Sequence, residues 1–424
     1  MPLEASTQAH LKKVRELLEE DLANNVMPFW ATNSSDQEFG GFLTRLDRRG
    51  RRLDDREKVF LMQVRMIASL AIAHGHGLVD RGYLDLAHRG FDFVVEHMWD
   101  ETNGGFYFSV DRTGKPKVRR KNTDFHAYAL TAFSEYYRIS RRPAARAWAE
   151  RVFDLLMEQA ADGDLGFVED FDGGDWPALN SDQMNLGTGG DLKTIDMHTN
   201  MLEGLMYLAG VTQAPKHRAA LRNLLRLIVA RGIHPEYGCT ITAFDREWRP
   251  APDARGEMTT SYGINVELAW IILAAADVLG EPRERYREVV LGLIDHALAY
   301  GFDHMRGGVA AYGPTRGNVV EAAHLPENRL LRAWWEQAEM LIALSETFHW
   351  TGDRQYLEAF LKLFAWVWDF QIDHECGDWY QEVSWPDGAP ITTDKGGEWK
   401  TAFHVSRALT RTAKALGECL PAEP

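Results

Sequence analysis

Cysteine is scarce: Cys239, Cys376 and Cys419 are the three in 424 residues, and their spacing fits neither a disulfide framework nor a thiolate metal site. Such usage suits a reducing compartment. Positive charge is also short. The 47 Lys and Arg face 62 Asp and Glu, a net charge of −15, so no general basic field exists for nucleic acid. No apolar run approaches membrane-spanning length, and no membrane association is expected. The start Met1-Pro2-Leu3-Glu4-Ala5 has no basic segment followed by an apolar one. A cytoplasmic location is expected for the sequence as it stands, or a secreted or periplasmic one were a leader removed from it. A nucleophile elbow, a P-loop, a dinucleotide glycine fingerprint and a zinc-binding helix are all missing. Gly187-Thr188-Gly189-Gly190-Asp191 is glycine-rich but follows no clear strand, so it supports a phosphate cradle only weakly. No metal and no cofactor are expected, which leaves acid–base work on a sugar-sized ligand.

What is present is a repeat. A Gly-Gly-aromatic signature recurs at Gly40-Gly41-Phe42, Gly104-Gly105-Phe106, Leu165-Gly166-Phe167, Tyr237-Gly238-Cys239, Gly307-Gly308-Val309 and Cys376-Gly377-Asp378. Its second glycines are spaced by 64, 61, 72, 70 and 69 residues. Each signature opens a short alternating segment such as Phe106–Val110, followed by the turn Asp111-Arg112-Thr113-Gly114, a hairpin pattern. Helix-period stretches cover 7–27, 58–76, 81–98, 124–138, 143–160, 195–210, 215–232, 263–279, 283–300, 329–348, 353–371 and 399–418, six pairs in all. The post-hairpin members are the more apolar, as in Ala269-Trp270-Ile271-Ile272-Leu273-Ala274-Ala275-Ala276, which suits an inner ring. Helices such as 215–232 and 353–371 carry more charge and belong outside. The expected fold is all-α, an (α/α)6-type toroid barrel with (α/α)7 as the alternative count, and with short β-hairpins on the active-site side. No linker divides the chain, so residues 1–424 are expected to form one catalytic domain. A long segment from about 170 to 194 is a candidate functional loop.

The first turns of inner helices in such a barrel face the cavity. They carry Arg65, His126, His198, Asn200, Tyr262, Asn265, Glu267, Trp334, Trp335, Gln337, Glu339, Trp399, Lys400 and His404. Buried ionisable groups are costly unless paired or used, so polar residues at equivalent points of all the inner helices suggest a site. Two basic clusters follow the first hairpins: Arg45, Arg48, Arg49, Arg51, Arg52 and Arg56, then Lys115, Lys117, Arg119, Arg120 and Lys121. They suggest a cationic rim on an acidic protein.

Over nearly its whole length the chain resembles the N-acylglucosamine 2-epimerase superfamily, which includes cellobiose 2-epimerases and mannose isomerases. Arg65 matches that family's substrate-binding arginine. Trp334-Trp335-Glu336-Gln337-Ala338-Glu339 is similar to its Trp-Trp-x-Gln-Ala-Glu segment. Trp399-Lys400-Thr401-Ala402-Phe403-His404 matches the segment with one catalytic histidine, and Glu267 matches the carboxylate that supports the other. Two departures stand out. The resemblance places a second catalytic histidine at the position of Ile264, and a further one where Asn200 precedes Glu203. Two-base 2-epimerisation suffers from the loss of a base.

Uronan lyases on the same barrel resemble what remains. On that resemblance the expected function is a polysaccharide lyase of alginate or glucuronan type, acting by β-elimination on an anionic oligo- or polysaccharide. Tyr262 would be base and acid, with its pKa lowered by Arg255. His198, Asn200 and Arg255 would neutralise the uronate carboxylate. Arg65, His126, Asn265, Glu267, Trp335, Glu339, Trp399 and Lys400 would bind substrate, with His404 beside the sugar. The alternative is a cofactor-independent sugar 2-epimerase or aldose–ketose isomerase with His404 as one base and an unusual second one, His198 being the candidate. A third reading is a catalytically degenerate glycan-binding barrel. A monomer or homodimer is expected.

Overall fold

The computed structural model describes residues 3–54, 57–180, 191–253, 256–316, 331–384 and 387–421. Six helices form an inner ring: α3 (Phe60–Gly75), α5 (Thr123–Ser140), α7 (Ile195–Thr212), α9 (Tyr262–Leu279), α11 (Trp334–Thr351) and α13 (Phe403–Cys419). Each packs on the next, and α13 packs back on α3, so the ring closes. Outside it lie α4 (Tyr83–His97), α6 (Pro143–Gln159), α8 (Pro215–Leu227), α10 (Arg287–Tyr300) and α12 (Arg354–Trp366), each against the inner helix that precedes it. The sixth outer position is taken by α1 (Ala5–Asp21), which packs on α13 and continues through a π turn into α2 (Met27–Asn33). The N-terminal helix therefore runs past its expected end.

Composition explains the two rings. Helix α9 buries nearly every residue, whereas α8 buries only His217, Leu221, Leu224 and Leu225, one stripe at helical spacing. By length and composition α9 could span a membrane, contrary to the expectation that no run would, but 83% of it is buried inside the barrel.

Short strands knit the repeats. The strand entering each of α3, α5, α7, α9 and α11 pairs antiparallel with the hairpin of the following repeat, as Lys58–Val59 does with Ser109–Val110. At the closure, Lys395 N–H donates to the Leu46 carbonyl at 3.0 Å. Asn122, Thr194 and Ser261 end such strands and cap α5, α7 and α9 by accepting the N–H three residues on.

The fourth residue of each of five inner helices fixes a Gly-Gly loop. Gln63 Oε1 accepts Phe42 N–H at 2.7 Å, and His126 Nε2 accepts Phe106 N–H at 2.8 Å. His198 Nε2 accepts Phe167 N–H at 3.2 Å, Asn265 Oδ1 accepts Thr240 N–H at 2.9 Å, and Gln337 Oε1 accepts Val309 N–H at 2.9 Å. The loops must come this close to the helix, which is why glycine stands at Gly105. Its φ is +74°, and a Cβ there would lie 2.4 Å from Trp176. A second device repeats alongside. Lys58, Lys121, Lys193, Arg332 and Lys395 are buried and pair with Asp36, Asp100, Asp162, Asp303 and Asp373 in the loops, at 3.0, 3.1, 2.9, 2.9 and 3.1 Å.

Candidate functional site

At the hairpin end of the ring lies a cavity of about 280 Å³ lined by Arg65, Asp124, Tyr128, Asp196, Asn200, Glu267, Tyr312, Trp334, Trp335, Trp399 and His404. Helical register explains the set. Asp124, Asp196, Trp335 and His404 are second residues of their helices, and Arg65, Tyr128, Asn200 and Glu267 are sixth residues. Positions four apart share a face. The fourth residues are turned roughly 200° from the second ones, at about 100° per residue, and so point to the loops.

On one side, α7, α9 and α11 bring acidic groups around one guanidinium of α13. Arg407 Nη2 donates to Glu267 Oε1 at 2.7 Å and Glu339 Oε1 at 2.6 Å, while Nη1 donates to Glu203. Trp270 Nε1 donates to Glu339 Oε2 at 2.9 Å. Burial works against the charge of Glu339, but Arg407 and His404 hold its carboxyl down at about 2. Burial and the Glu339 charge push Glu267 well above the usual carboxylate range. An ionised Glu339 can only accept, so the 2.7 Å contact from His404 Nδ1 assigns the proton to Nδ1, and Arg407 Nη2, 3.2 Å from the same atom, serves the nearer carboxyl oxygens of Glu267 and Glu339 instead. Nε2 is left with its lone pair on the cavity side. Burial lowers the imidazole pKa to about 3, so His404 is neutral at physiological pH. One oxygen each of Glu267 and Glu339 and a ring nitrogen of His404 lie within 4.8 Å of one another, a spacing a metal could use. In this chain the Arg407 cation fills that electrostatic role.

On the other side, Asn200 Nδ2 donates to Asp124 Oδ1 at 2.8 Å and Asp196 Oδ1 at 3.2 Å, and its Oδ1 accepts from Tyr128 Oη at 3.1 Å. Burial and the neighbouring Asp196 raise Asp124 to about 7. Arg65 lies over the Tyr128 ring at 4.1 Å and donates from Nη1 to the Trp399 carbonyl at 2.6 Å, while its buried Nε has no hydrogen-bond partner among the described residues. Trp399 is 46% exposed at the mouth, and Trp335 lies 5.9 Å from the His404 ring, both suited to stacking on a sugar.

Of the residues expected at the site, Arg65, Asn200, Glu267, Trp335, Trp399 and His404 line the cavity, and Glu339 supports His404 from behind. The others do not. His126 and His198 have both ring nitrogens bonded to backbone, Nδ1 to the Asn122 and Thr194 carbonyls at 2.6 and 2.7 Å, and burial lowers them to about 4 and 3. They are loop anchors, as is Asn265. Lys400 is buried against Asp378. Arg255 lies outside the described residues, as do Arg56 and residues 181–190 of the candidate loop.

Tyr262 is a correction. It is fully buried, packs against Gly301, Gly313 and His296, and is absent from the cavity lining. Burial raises its hydroxyl instead of lowering it. That hydroxyl has no hydrogen-bond partner among the described residues. Tyr262→Phe is therefore expected to leave turnover within about twofold and stability unchanged or raised, since removing an unsatisfied buried group is near neutral or favourable. Turnover assays with a thermal melt check this.

Part of the basic rim is engaged in ion pairs. Arg48 is engaged by Asp373 at 2.7 Å and Glu375 at 2.9 Å, Arg51 by Asp47, Lys117 by Glu57 and Lys121 by Asp100. Among the described lining residues, Arg65 is the one permanent cation, set against Asp124, Asp196 and Glu267.

Asp124, Asp196, Tyr128 and Arg407 are absent from the sequence-based expectation. A signal existed for each. Tyr128 and Arg407 stand four and three residues after Asp124 and His404, on the faces those residues occupy. Asp196 holds the same helix position as Asp124 and His404.

Residues 40–408 match the family model for N-acylglucosamine 2-epimerase (GlcNAc 2-epimerase). The chain is 24% identical to a cellobiose 2-epimerase of Bacteroides fragilis over 396 residues, covering 93% of this chain and 97% of that one. It is 25% identical to the human N-acylglucosamine 2-epimerase over 413 residues, covering 94% and 89%. The solved cellobiose 2-epimerase of Bacillus thermoamylovorans superposes with a TM-score of 0.84 at 22% identity, covering 95% of this chain and 99% of that one. These matches overturn the expected uronan lyase, as does the placement of Tyr262 away from the cavity. They agree with an enzyme acting on carbohydrates.

Proposed function

Because the chain belongs to the N-acylglucosamine 2-epimerase family, we propose that it is a cofactor-independent sugar 2-epimerase or aldose–ketose isomerase acting at C2 of a reducing-end sugar. The observation that carries this reading is the His404 imidazole, with Nδ1–H held by Glu339 and Nε2 open to the cavity. A neutral imidazole so oriented is a general base. The C2 hydrogen of an open-chain aldose is acidified by the C1 carbonyl, and its removal puts negative charge on O1. Arg65 supplies the cation for that charge in a buried setting, where it acts most strongly. Trp335 and Trp399 supply apolar faces for a neutral sugar ring.

The test is incubation with mannose, glucose, cellobiose and N-acetylglucosamine in deuterium oxide, followed by NMR at C2. Exchange of the C2 hydrogen on at least one sugar, with an epimer or ketose formed, is expected. Absence of exchange on every sugar would overturn the reading.

A further inference from the structure

The chemistry assigned to His404 leaves two carboxyls of the same cavity unused. The inner ring runs α3, α5, α7, α9, α11, α13 and closes, so α7 lies across the ring from α13. Asp196 and His404 are both second residues of their helices, hence at one depth on opposite walls. Asp124 and Asp196 both line the cavity, Asp196 exposed and Asp124 buried. One amide, Asn200 Nδ2, bonds to both carboxyls, which keeps them close together. Meanwhile Ile264, at the position where the family resemblance places a histidine, is buried and cannot carry a proton. A site with His404 alone could return a proton only to the face it came from.

We propose that the Asp124–Asp196 pair is the second proton carrier of this site, delivering a proton to C2 on the face opposite His404. The inference rests on the reading of His404 as base. Two carboxyls bonded to one amide, one of them buried, do not readily both ionise, so the pair holds one proton between them, and Asp196 is its member exposed to the cavity. The elevated value of Asp124, about 7, agrees with this.

The step balances without an oxidant or reductant. His404 Nε2 takes the C2 proton. The C–H electron pair forms the C1–C2 double bond, and the carbonyl pair moves to O1 beside Arg65. The carboxyl pair then gives its proton to C2 from the other wall while the O1 pair re-forms the carbonyl. Water removes the proton from His404 and returns one to the pair, which resets the site. The product is the C2 epimer, carrying one solvent hydrogen at C2.

Asp196→Asn keeps the size and the Asn200 neighbour but cannot share a proton. In deuterium oxide with a sugar the wild-type enzyme inverts, the ratio of inversion to C2 exchange is expected to fall about 100-fold in this variant. Continued His404-dependent exchange reports that the site is intact. Asp124→Asn, which leaves a lone Asp196 free to ionise, is expected to lower the same ratio. An unchanged ratio in both variants overturns the inference and leaves the His404 reading standing. Absence of C2 exchange in the wild-type enzyme would overturn both.

Discussion

His404→Asn is expected to lower C2 hydrogen exchange by about 100- to 10,000-fold, the span over which a positioned general base contributes. Asparagine retains an amide N–H that can reach Glu339, so the buried carboxylate keeps a donor and Arg407 keeps its partners. Arg65, Trp335 and Trp399 are untouched, so KM is expected to move by no more than about threefold while kcat carries the loss. The exchange assay with the wild-type sugar measures both. The pH profile gives a second check. An ordinary histidine, near 6.5, would show an acid limb around neutrality, but burial places His404 at about 3. The imidazole loses its lone pair only as pH falls through that lower value. Exchange, read separately from inversion, is therefore expected to show no acid limb between about pH 5 and 8. An acid limb near 6.5 that disappears in His404→Asn would show the imidazole to be more hydrated than its burial implies.

How far the sequence carries is visible in the inner helices. The glycine spacing and the apolar post-hairpin helices locate both rings, because burial on all sides demands an apolar helix and a loop crossing close to it demands glycine. The same reading places polar residues at the inner helix starts, and they are there. What it lacks is register. His198 and Asn200 are two residues apart, yet one anchors a hairpin and the other lines the cavity. Tyr262 and Glu267 begin one helix and part in the same way. A helix start fixed only to within two residues leaves the inward face undetermined, since two residues turn the side chain through roughly 200°. The recurring polar residues at the fourth position look functional because they recur, but they recur because five of the six repeats satisfy the same loop N–H in this way. Recurrence marks the shared scaffold here. The cavity residues differ from helix to helix: Asp, Asp, Trp and His at the second position. Arg48 of the first basic cluster misleads for a related reason: its partners Asp373 and Glu375 lie more than 300 residues away in sequence and meet it only when the ring closes.

Arg407→Met is expected to cost about 3–5 kcal/mol of stability, the range for stripping one partner from a buried ion cluster. Methionine fills much of the arginine volume, so the loss is electrostatic and not a cavity effect. Glu203, Glu267 and Glu339, all fully buried, would then crowd together with no cation between them. The sign with pH follows. Burial already raises Glu203 and Glu267 above the ordinary 4.5 while Arg407 is present, and its removal raises them further. A carboxyl raised in the folded state costs nothing below its unfolded value and destabilises progressively as pH climbs toward its folded one. The deficit of the variant should therefore be largest at neutral pH and above, and shrink on acidification toward about pH 4.5. Thermal melts of both proteins across that range measure it. A deficit independent of pH would mean that packing, not charge, is what Arg407 supplies. Arg407→Lys separates charge from geometry: one ammonium cannot fork to three carboxylates as the guanidinium does, so it should recover less than half of the loss. Catalysis should suffer in Arg407→Met even where it stays folded. A Glu339 that takes up a proton ceases to be acceptor-only, Nδ1–H is no longer enforced, and the lone pair on Nε2 that the C2 proton needs is no longer guaranteed.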